Sequence, residues 1–390
     1  MTIPSIEAGI AKPRNLTRIV VAMSGGVDSS VVAALYVEAG YVVVGITLQL
    51  YDSGSTPARI GSCCAGQDIH DARRVAAHLG IAYYVLNYED RFRDEVIDDF
   101  ADSYLRGETP IPCITCNQTV KFRDLLAAAR DLDADALATG HYVRRVIGNS
   151  GPEMHRAHDA ERDQSYFLFA TTGDQLEFLR FPLGDIGKSE VRLHAERLGL
   201  AVAEKPDSQD ICFVPGGNYA AIIEMLRPGA AEPGDIVDLS GAVLGQHAGI
   251  IHYTVGQRRG LGIAAPEPLY VLAVDAASRR VTVGPKAALL CDRVRLRQHQ
   301  FIDPKASLQS AGDVIVRLRS THPGVPGQLT LLDNGDSEIC LAQPEPATAC
   351  GQAAVCYQGN KVLGGGWIAS MERSAALRQT AAVSPAINSQ

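Results

Sequence analysis

The chain lacks any apolar run approaching the roughly 20 residues that span a bilayer, which excludes a helical membrane protein. Its opening, MTIPSIEAGIAKPRN, lacks the apolar core of an export signal, so a cytoplasmic protein with no membrane partner is expected. Positive charge is scarce: 36 Lys and Arg face 44 Asp and Glu, a formal net charge of −8. That excludes a nucleic-acid binder that is basic all over. It does not exclude a local basic face, because phosphate contacts are local. No internal repeat is present. Only one CxxC occurs among the nine cysteines. In a chain without an export signal, such cysteines are more often catalytic, metal-bound or core than structural disulfides.

The most informative stretch is Val20-Val21-Ala22-Met23-Ser24-Gly25-Gly26-Val27-Asp28-Ser29-Ser30. Ile19 to Ala22 reads as a short buried strand and Val31 to Tyr36 as a helix. The small-residue turn between them therefore opens a helix, where unpaired N–H groups favour an anion. Gly25 and Gly26 permit close approach to phosphate, and Ser24, Ser29 and Ser30 offer hydroxyls. No lysine closes the turn, so it is not a Walker loop. A pyrophosphate cradle of this kind suits ATP chemistry, with Asp28 available for magnesium.

Further along, Tyr41 to Leu50 is a second strand, so the first unit reads as strand, loop, helix, strand. That predicts a doubly wound parallel sheet. Helices are expected over Asp68–Leu79, Phe92–Leu105, Val120–Arg130, Lys188–Leu198 and Tyr219–Leu226, with strands over Ile81–Leu86 and Ala134–Thr139. Gly107 to Asn117 holds Pro110 and Pro112, which predict a stiff, non-helical loop. Asn117 is expected to cap the following helix, and Cys116 to gain thiolate character at that helix start. From Ile251 to Ser320, eleven Lys and Arg face five Asp and Glu, a basic segment on an acidic chain. Gly249 to Leu261 reads as a strand ending in a basic turn. Arg293, Arg295 and Arg297 alternate, as do Arg317 and Arg319, which places each set on one strand face. Short strands to about Trp367 predict a small β-barrel.

Taken together, SGGVDSS, TPIPCITCNQTVKF, ATGHYVRR, RDQSYFL, DSQDICF, GQRRGLGI and GGGWI resemble the tRNA-specific 2-thiouridylase family of PP-loop ATP pyrophosphatases, from about Thr17 to Glu372. The resemblance implies an α/β Rossmann-like PP-loop domain over 18–213, a central β-rich domain over 214–285 and a C-terminal tRNA-binding β-barrel over 286–372. A flexible lead-in (1–17) and a disordered tail (373–390) flank them. It implies that ATP adenylates the wobble uridine of tRNA and that a persulfide displaces AMP. In that scheme Cys116 is the nucleophile and Cys212 carries sulfur from a persulfide-bearing donor protein, with a transient disulfide between them. Ala22 to Ser29, that is Ala22, Met23, Ser24, Gly25, Gly26, Val27, Asp28 and Ser29, would line the ATP site with Leu48 and Gly140. Ile111, Pro112 and Cys113 would meet the target base. His141, Arg162, Asp163, Gln164, Arg319, Ser320 and Gln352 would contact tRNA.

One departure stands out. Many family members carry Asp where this chain has Cys113. The change creates Cys113-Ile114-Thr115-Cys116, with Cys212 and Cys63-Cys64 as further thiols. An iron–sulfur cluster or zinc on three or four of them is the alternative chemistry. The other competing readings are a different PP-loop adenylating enzyme, such as an amidotransferase-type synthetase, and a nucleotide-regulated RNA binder without chemistry.

Overall fold

The computed structural model describes residues 6–51, 62–207, 211–303 and 312–373, with the backbone alone at 62–65 and 215. The chain divides into two compact units. The first comprises Met1–Asp98, Pro112–Asn218 and Asn360–Leu363. The second comprises Asp99–Ile111, Tyr219–Gly359 and Gly364–Gln390.

The first unit is built on a five-stranded parallel sheet in the order β3-β2-β1-β4-β7. Its strands are β1 (Arg18–Ala22), β2 (Val42–Gln49), β3 (Ala82–Asn87), β4 (Ala136–Ala138) and β7 (Leu179–Arg180). Ile19, Val20 and Val21 are 0% exposed, as central parallel strands covered on both faces require. Burial of each such side chain stabilises the fold by about 1.5–3 kcal/mol. Helices α1 (Val27–Glu38) and α2 (Ser62–Leu79) follow β1 and β2. Chain order runs outward from β1 to β3, then reverses through β4. Crevices at such a reversal, beyond the carboxyl ends of the strands, are where open α/β sheets bind ligands. The turn after β1 and the Thr139-Gly140-His141 turn after β4 flank that point.

Beside the sheet, the hairpin β5 (Val143–Gly148) and β6 (Gly151–Arg156) receives Lys361 opposite His155. The first unit also holds α3 (Glu89–Phe92) and a π-helical segment Arg93–Ile97, while α4 (Asp98–Leu105) falls in the second unit from Asp99 on. Later come α7 (Gly173–Phe178) and α8 (Lys188–Arg197).

Two expectations fail here. Pro110 and Pro112 do not keep the chain out of a helix: α5 (Pro112–Cys116) starts at Pro112 and runs through a π-helical segment, Asn117–Asp124, into α6 (Leu125–Asp131). Proline is tolerated at a first helical position, where its missing N–H has no partner to lose. The lead-in over 6–17 is packed rather than loose. Ala8 is 1% exposed and its N–H donates to Tyr41 Oη at 3.0 Å, while Lys12 pairs with Asp135 at 2.8 Å. Residues 1–5 and the expected tail, beyond residue 373, lie outside the described residues.

The second unit holds α9 (Tyr219–Leu226) and a four-stranded sheet of β8 (Gly234–Val237), β9 (Val243–His247), β10 (Tyr270–Asp275) and β11 (Arg280–Gly284). It also holds a six-stranded barrel: β12 (Leu290–Phe301), β13 (Asp313–Arg317), β14 (Val325–Leu331), β15 (Ser337–Pro346), β16 (Ala353–Gln358) and β17 (Lys361–Glu372). Pairing of β12 with both β15 and β17 closes it. Gly249–Leu261 is not a strand: only a 3-10 turn forms, at Ile250–His252. Gly256, Gly260 and Gly262 there hold φ of +89°, +76° and +68°, in the left-handed region that interrupts a strand. Arg293 and Arg295 alternate with the buried Val294 and Leu296 as expected, but both face Glu338, at 3.1 and 3.7 Å. Arg297 pairs with Glu108 at 2.8 Å. The basic ladder is therefore already partly neutralised.

Candidate active site

A cavity of about 500 Å³ opens in the first unit at the reversal point of the sheet. Its floor is the turn after β1. Met23 N–H donates to Ile46 O at 2.8 Å, and Thr47 Oγ1 donates to Met23 O at 2.6 Å. These bonds fix the turn to β2. Gly25 adopts φ +77° and lies so close to α2 that a Cβ would sit 2.2 Å from Asp68 O. Gly140 is also close-packed, though less so: a Cβ there would be 2.9 Å from Ser29 N. Both glycines are thus required by packing. Gly26 precedes α1 with no side-chain cap, which leaves the first N–H groups of that helix for a ligand. The serines act differently from expectation. Ser30 Oγ donates to Gly26 O at 2.8 Å, and Ser24 N–H donates to Ser29 Oγ at 3.1 Å. Ser29 and Ser30 are buried and brace the turn from within.

Of the expected ATP residues, Ala22, Met23, Ser24, Gly26, Val27, Asp28, Ser29, Leu48 and Gly140 line this cavity. Gly25 does not; it contributes its carbonyl to Lys205 Nζ at 3.0 Å. Asp28 is not a vacant metal ligand. Its carboxylate accepts from Lys188 Nζ at 2.7 and 2.8 Å and from Tyr142 Oη at 2.7 Å. Among the described residues no three His, Cys, Asp or Glu side chains are grouped to hold a metal ion. A carboxylate already neutralised by lysine does not fit a resident magnesium.

The thiols share the same cavity. Cys113, Cys116 and Cys212 all line it, Cys116 buried and the other two exposed. Cys116 sits inside a continuous helix, with Asn117 beyond it buried and its Nδ2 donating to Phe167 O at 3.2 Å. Asn117 therefore caps nothing. With no helix start at Cys116, no dipole lowers its pKa. Burial pushes the Cys116 thiol up, against a smaller pull from Lys121. Cys212 is exposed as a residue, yet its thiol is crowded by the cavity wall. That burial, then Cys116 and Cys113, pushes it up to about 12. Both thiols are protonated at neutral pH, so each needs activation before it reacts. Side chains of Cys63 and Cys64 lie outside the described residues.

Among the expected base and tRNA residues, Pro112 lines the cavity with Cys113, while Ile111 does not. His141, Arg162 and Gln164 also line it. His141 Nδ1 lies 2.9 Å from Thr139 Oγ1, and its ring meets Phe122 edge-on. Burial, with a smaller push from Lys121, drives its pKa down to about 3, so it presents a neutral ring rather than a phosphate-binding cation. Arg162 pairs with Asp207 at 2.9 Å, and Gln164 Oε1 accepts from Tyr142 N–H at 2.9 Å. Asp163 turns inward, where its carboxylate accepts from the Ser165 hydroxyl at 2.9 Å and from Ala157 N–H at 3.2 Å. In the second unit, Arg319 is exposed, Ser320 O accepts from Arg317, and Gln352 Nε2 donates to Thr109 O at 2.7 Å.

Sequence reasoning missed Lys121, Tyr142, Lys188, Lys205 and Asp207 as cavity residues. Lys121 and Asp207 fall inside quoted motifs, which was the available signal. Lys188 and Lys205 carry none, because only the fold brings them to a turn more than 150 residues upstream.

Residues 17–216 match the tRNA methyl transferase HUP domain family, 225–285 its PRC-barrel domain, and 291–368 an aminomethyltransferase beta-barrel domain. The "tRNA-specific 2-thiouridylase MnmA" of Rhodospirillum centenum is 62% identical over 377 residues, covering 95% of this chain and 96% of that protein. The protein of that name from Hyphomonas neptunium is 59% identical, covering 93% of each chain. The one from Methylobacterium radiotolerans is 58% identical, covering 96% of this chain and 99% of its own.

Proposed function

The chain belongs to the tRNA-specific 2-thiouridylase family, and we propose that its cavity carries out that family's chemistry with the residues placed above. It is an ATP-using tRNA sulfurtransferase that makes 2-thiouridine. The matched domain names speak of methyl transfer, but the relatives over nearly the whole chain are named for thiolation. One observation carries the assignment of residues: the anion-binding turn and both Cys116 and Cys212 open on one cavity.

ATP lies with its phosphates over Ser24–Ser29 and its adenine near Leu48. The wobble uridine is flipped out so that its 2-carbon reaches both ATP and sulfur. Its 2-oxygen attacks the α-phosphorus and pyrophosphate leaves. The terminal sulfur of a persulfide on Cys212 then attacks the 2-carbon, and the C–O bond to AMP breaks. Cys116 attacks Cys212 Sγ, which releases the thiolated base and leaves a Cys116–Cys212 disulfide for an external thiol to reduce. A persulfide-carrying donor protein reloads Cys212. Magnesium would enter on the ATP phosphates rather than on a protein-held site. Arg319, Ser320 and Gln352 are assigned to tRNA contact, Gln352 at the cost of its bond to Thr109. The three-domain division at 213 and 285 is retained as part of this proposal.

The test is single-turnover thiolation of tRNA with ATP and a persulfide donor in wild type, Cys116→Ser, Cys212→Ser and Cys113→Ser. Loss of product in the first two variants, with Cys113→Ser active, is expected. Equal loss in all three, with bound iron tracking activity, moves the assignment to cluster chemistry.

A further inference from the structure

The proposed reaction uses two of the three thiols that line the cavity and leaves Cys113 without a task. Cys113 stands three residues before Cys116 in α5, so the two share one face of the helix. Helical geometry sets their Cα atoms about 5 Å apart, within the span that a disulfide bridges. Cys212 opens on the same cavity, and its thiol feels the charge of either one. All three are reduced. They differ in access: Cys116 is only 6% exposed, the Cys212 thiol is crowded by the cavity wall, and Cys113 is exposed. We propose that Cys113 is a third catalytic thiol, which attacks Cys116 Sγ in the Cys116–Cys212 disulfide left by sulfur transfer and moves the oxidation into a Cys113–Cys116 disulfide.

The step is a thiol–disulfide exchange, so no oxidant or reductant enters it. The Cys113–Cys116 bond forms and the Cys116–Cys212 bond breaks; Cys113 gives up its proton and Cys212 takes one as it leaves. Helix α5 holds the attacking pair in place. Ile114 between them is 0% exposed, and Thr119 Oγ1 donates to Thr115 O at 2.8 Å. A thiol fixed at this distance acts at a far higher effective concentration than one arriving from solution. Exchange also frees Cys212, which cannot accept new sulfur while it is bonded to Cys116. It gives the disulfide an accessible end as well. In Cys116–Cys212 one sulfur is in the core and the other lies against the wall. In Cys113–Cys116 an external thiol attacks Cys113 Sγ and releases the Cys116 thiol. A second external thiol then releases Cys113, and the two external thiols leave as their own disulfide.

This inference rests on the two-cysteine scheme, and the test separates the two. The full chain is loaded with persulfide, freed of the donor, and given tRNA and ATP without reductant. After an acid quench, the thiols that remain are blocked with N-ethylmaleimide and the disulfides are mapped by mass spectrometry. Trypsin cuts after Arg106 and Lys121, so Cys113 and Cys116 share one peptide and Cys212 falls in another. Wild type is expected to show the disulfide inside the first peptide, with Cys212 blocked. Cys113→Ser is expected to show the two peptides cross-linked through Cys116 and Cys212. Wild type that keeps that cross-link with Cys113 blocked overturns the proposal, as does a Cys113–Cys212 bond. Should Cys113→Ser not fold, wild type poised in a glutathione buffer without tRNA decides. A Cys113–Cys116 disulfide that forms before any bond to Cys212 supports the proposal, and a Cys116–Cys212 bond that forms first overturns it. Thiolated tRNA with no disulfide among the three overturns the two-cysteine scheme itself.

Discussion

Replacing Gly25 by Ala tests the packing of the ATP turn directly. The new Cβ would lie 2.2 Å from Asp68 O and 2.7 Å from Asp68 C, both backbone atoms of α2. No side-chain rotation relieves that contact. The position also holds φ +77°, which costs a residue with a Cβ about 1–2 kcal/mol. Overpacking against backbone adds about 1–3 kcal/mol. A total of roughly 2–5 kcal/mol corresponds to a Tm lower by about 4–20 °C at some 2–4 °C per kcal/mol for a unit of this size. If the turn instead moves away from α2, Lys205 loses Gly25 O at 3.0 Å and the cost reappears as weaker ATP binding. Gly26→Ala is the control, because its φ is −88° and a Cβ meets only Ser24 Oγ at 3.5 Å. The assays are thermal unfolding and ATP calorimetry on all three proteins. A Gly25→Ala variant that keeps both the wild-type Tm and the wild-type ATP affinity refutes the argument.

Two further outcomes follow from the pKa shifts. His141 is neutral in the fold down to about pH 3, whereas an unfolded histidine gains a proton near pH 6.5. Stability is therefore lost as pH falls below about 6.5, by roughly 1–2 kcal/mol between pH 7 and 5. Urea unfolding at the two pH values should show that difference in wild type and a smaller one in His141→Asn; an equal difference in both removes the histidine from the account. Cys212, pushed up to about 12, should alkylate with iodoacetamide about tenfold faster per pH unit across pH 7–10. Peptide mass mapping reads the rate, and a plateau below pH 8 contradicts the raised thiol.

The local pattern alone determined much of this protein. Ile19–Ala22, the Ser24–Ser30 turn and Val31–Tyr36 are contiguous, so periodicity and turn chemistry expose the strand, the anion site and the helix together. The barrel also showed, through short strands and alternating arginines. Boundaries around Pro112 did not, because proline at a first helical position and proline in a loop look alike in sequence. Nor did the state of the thiols. A cysteine beside an expected helix start suggests a lowered pKa, but the continuous helix from Pro112 to Asp131 removes the dipole, and burial decides the sign. The cation that faces Asp28 was equally invisible. Lys188 reaches it from a distant segment and is itself met by Asp207, and only parallel pairing of β1, β2 and β4 brings those segments to one crevice. Local propensity acts over a few neighbours, whereas burial and charge pairing are set by whatever the folded chain places alongside.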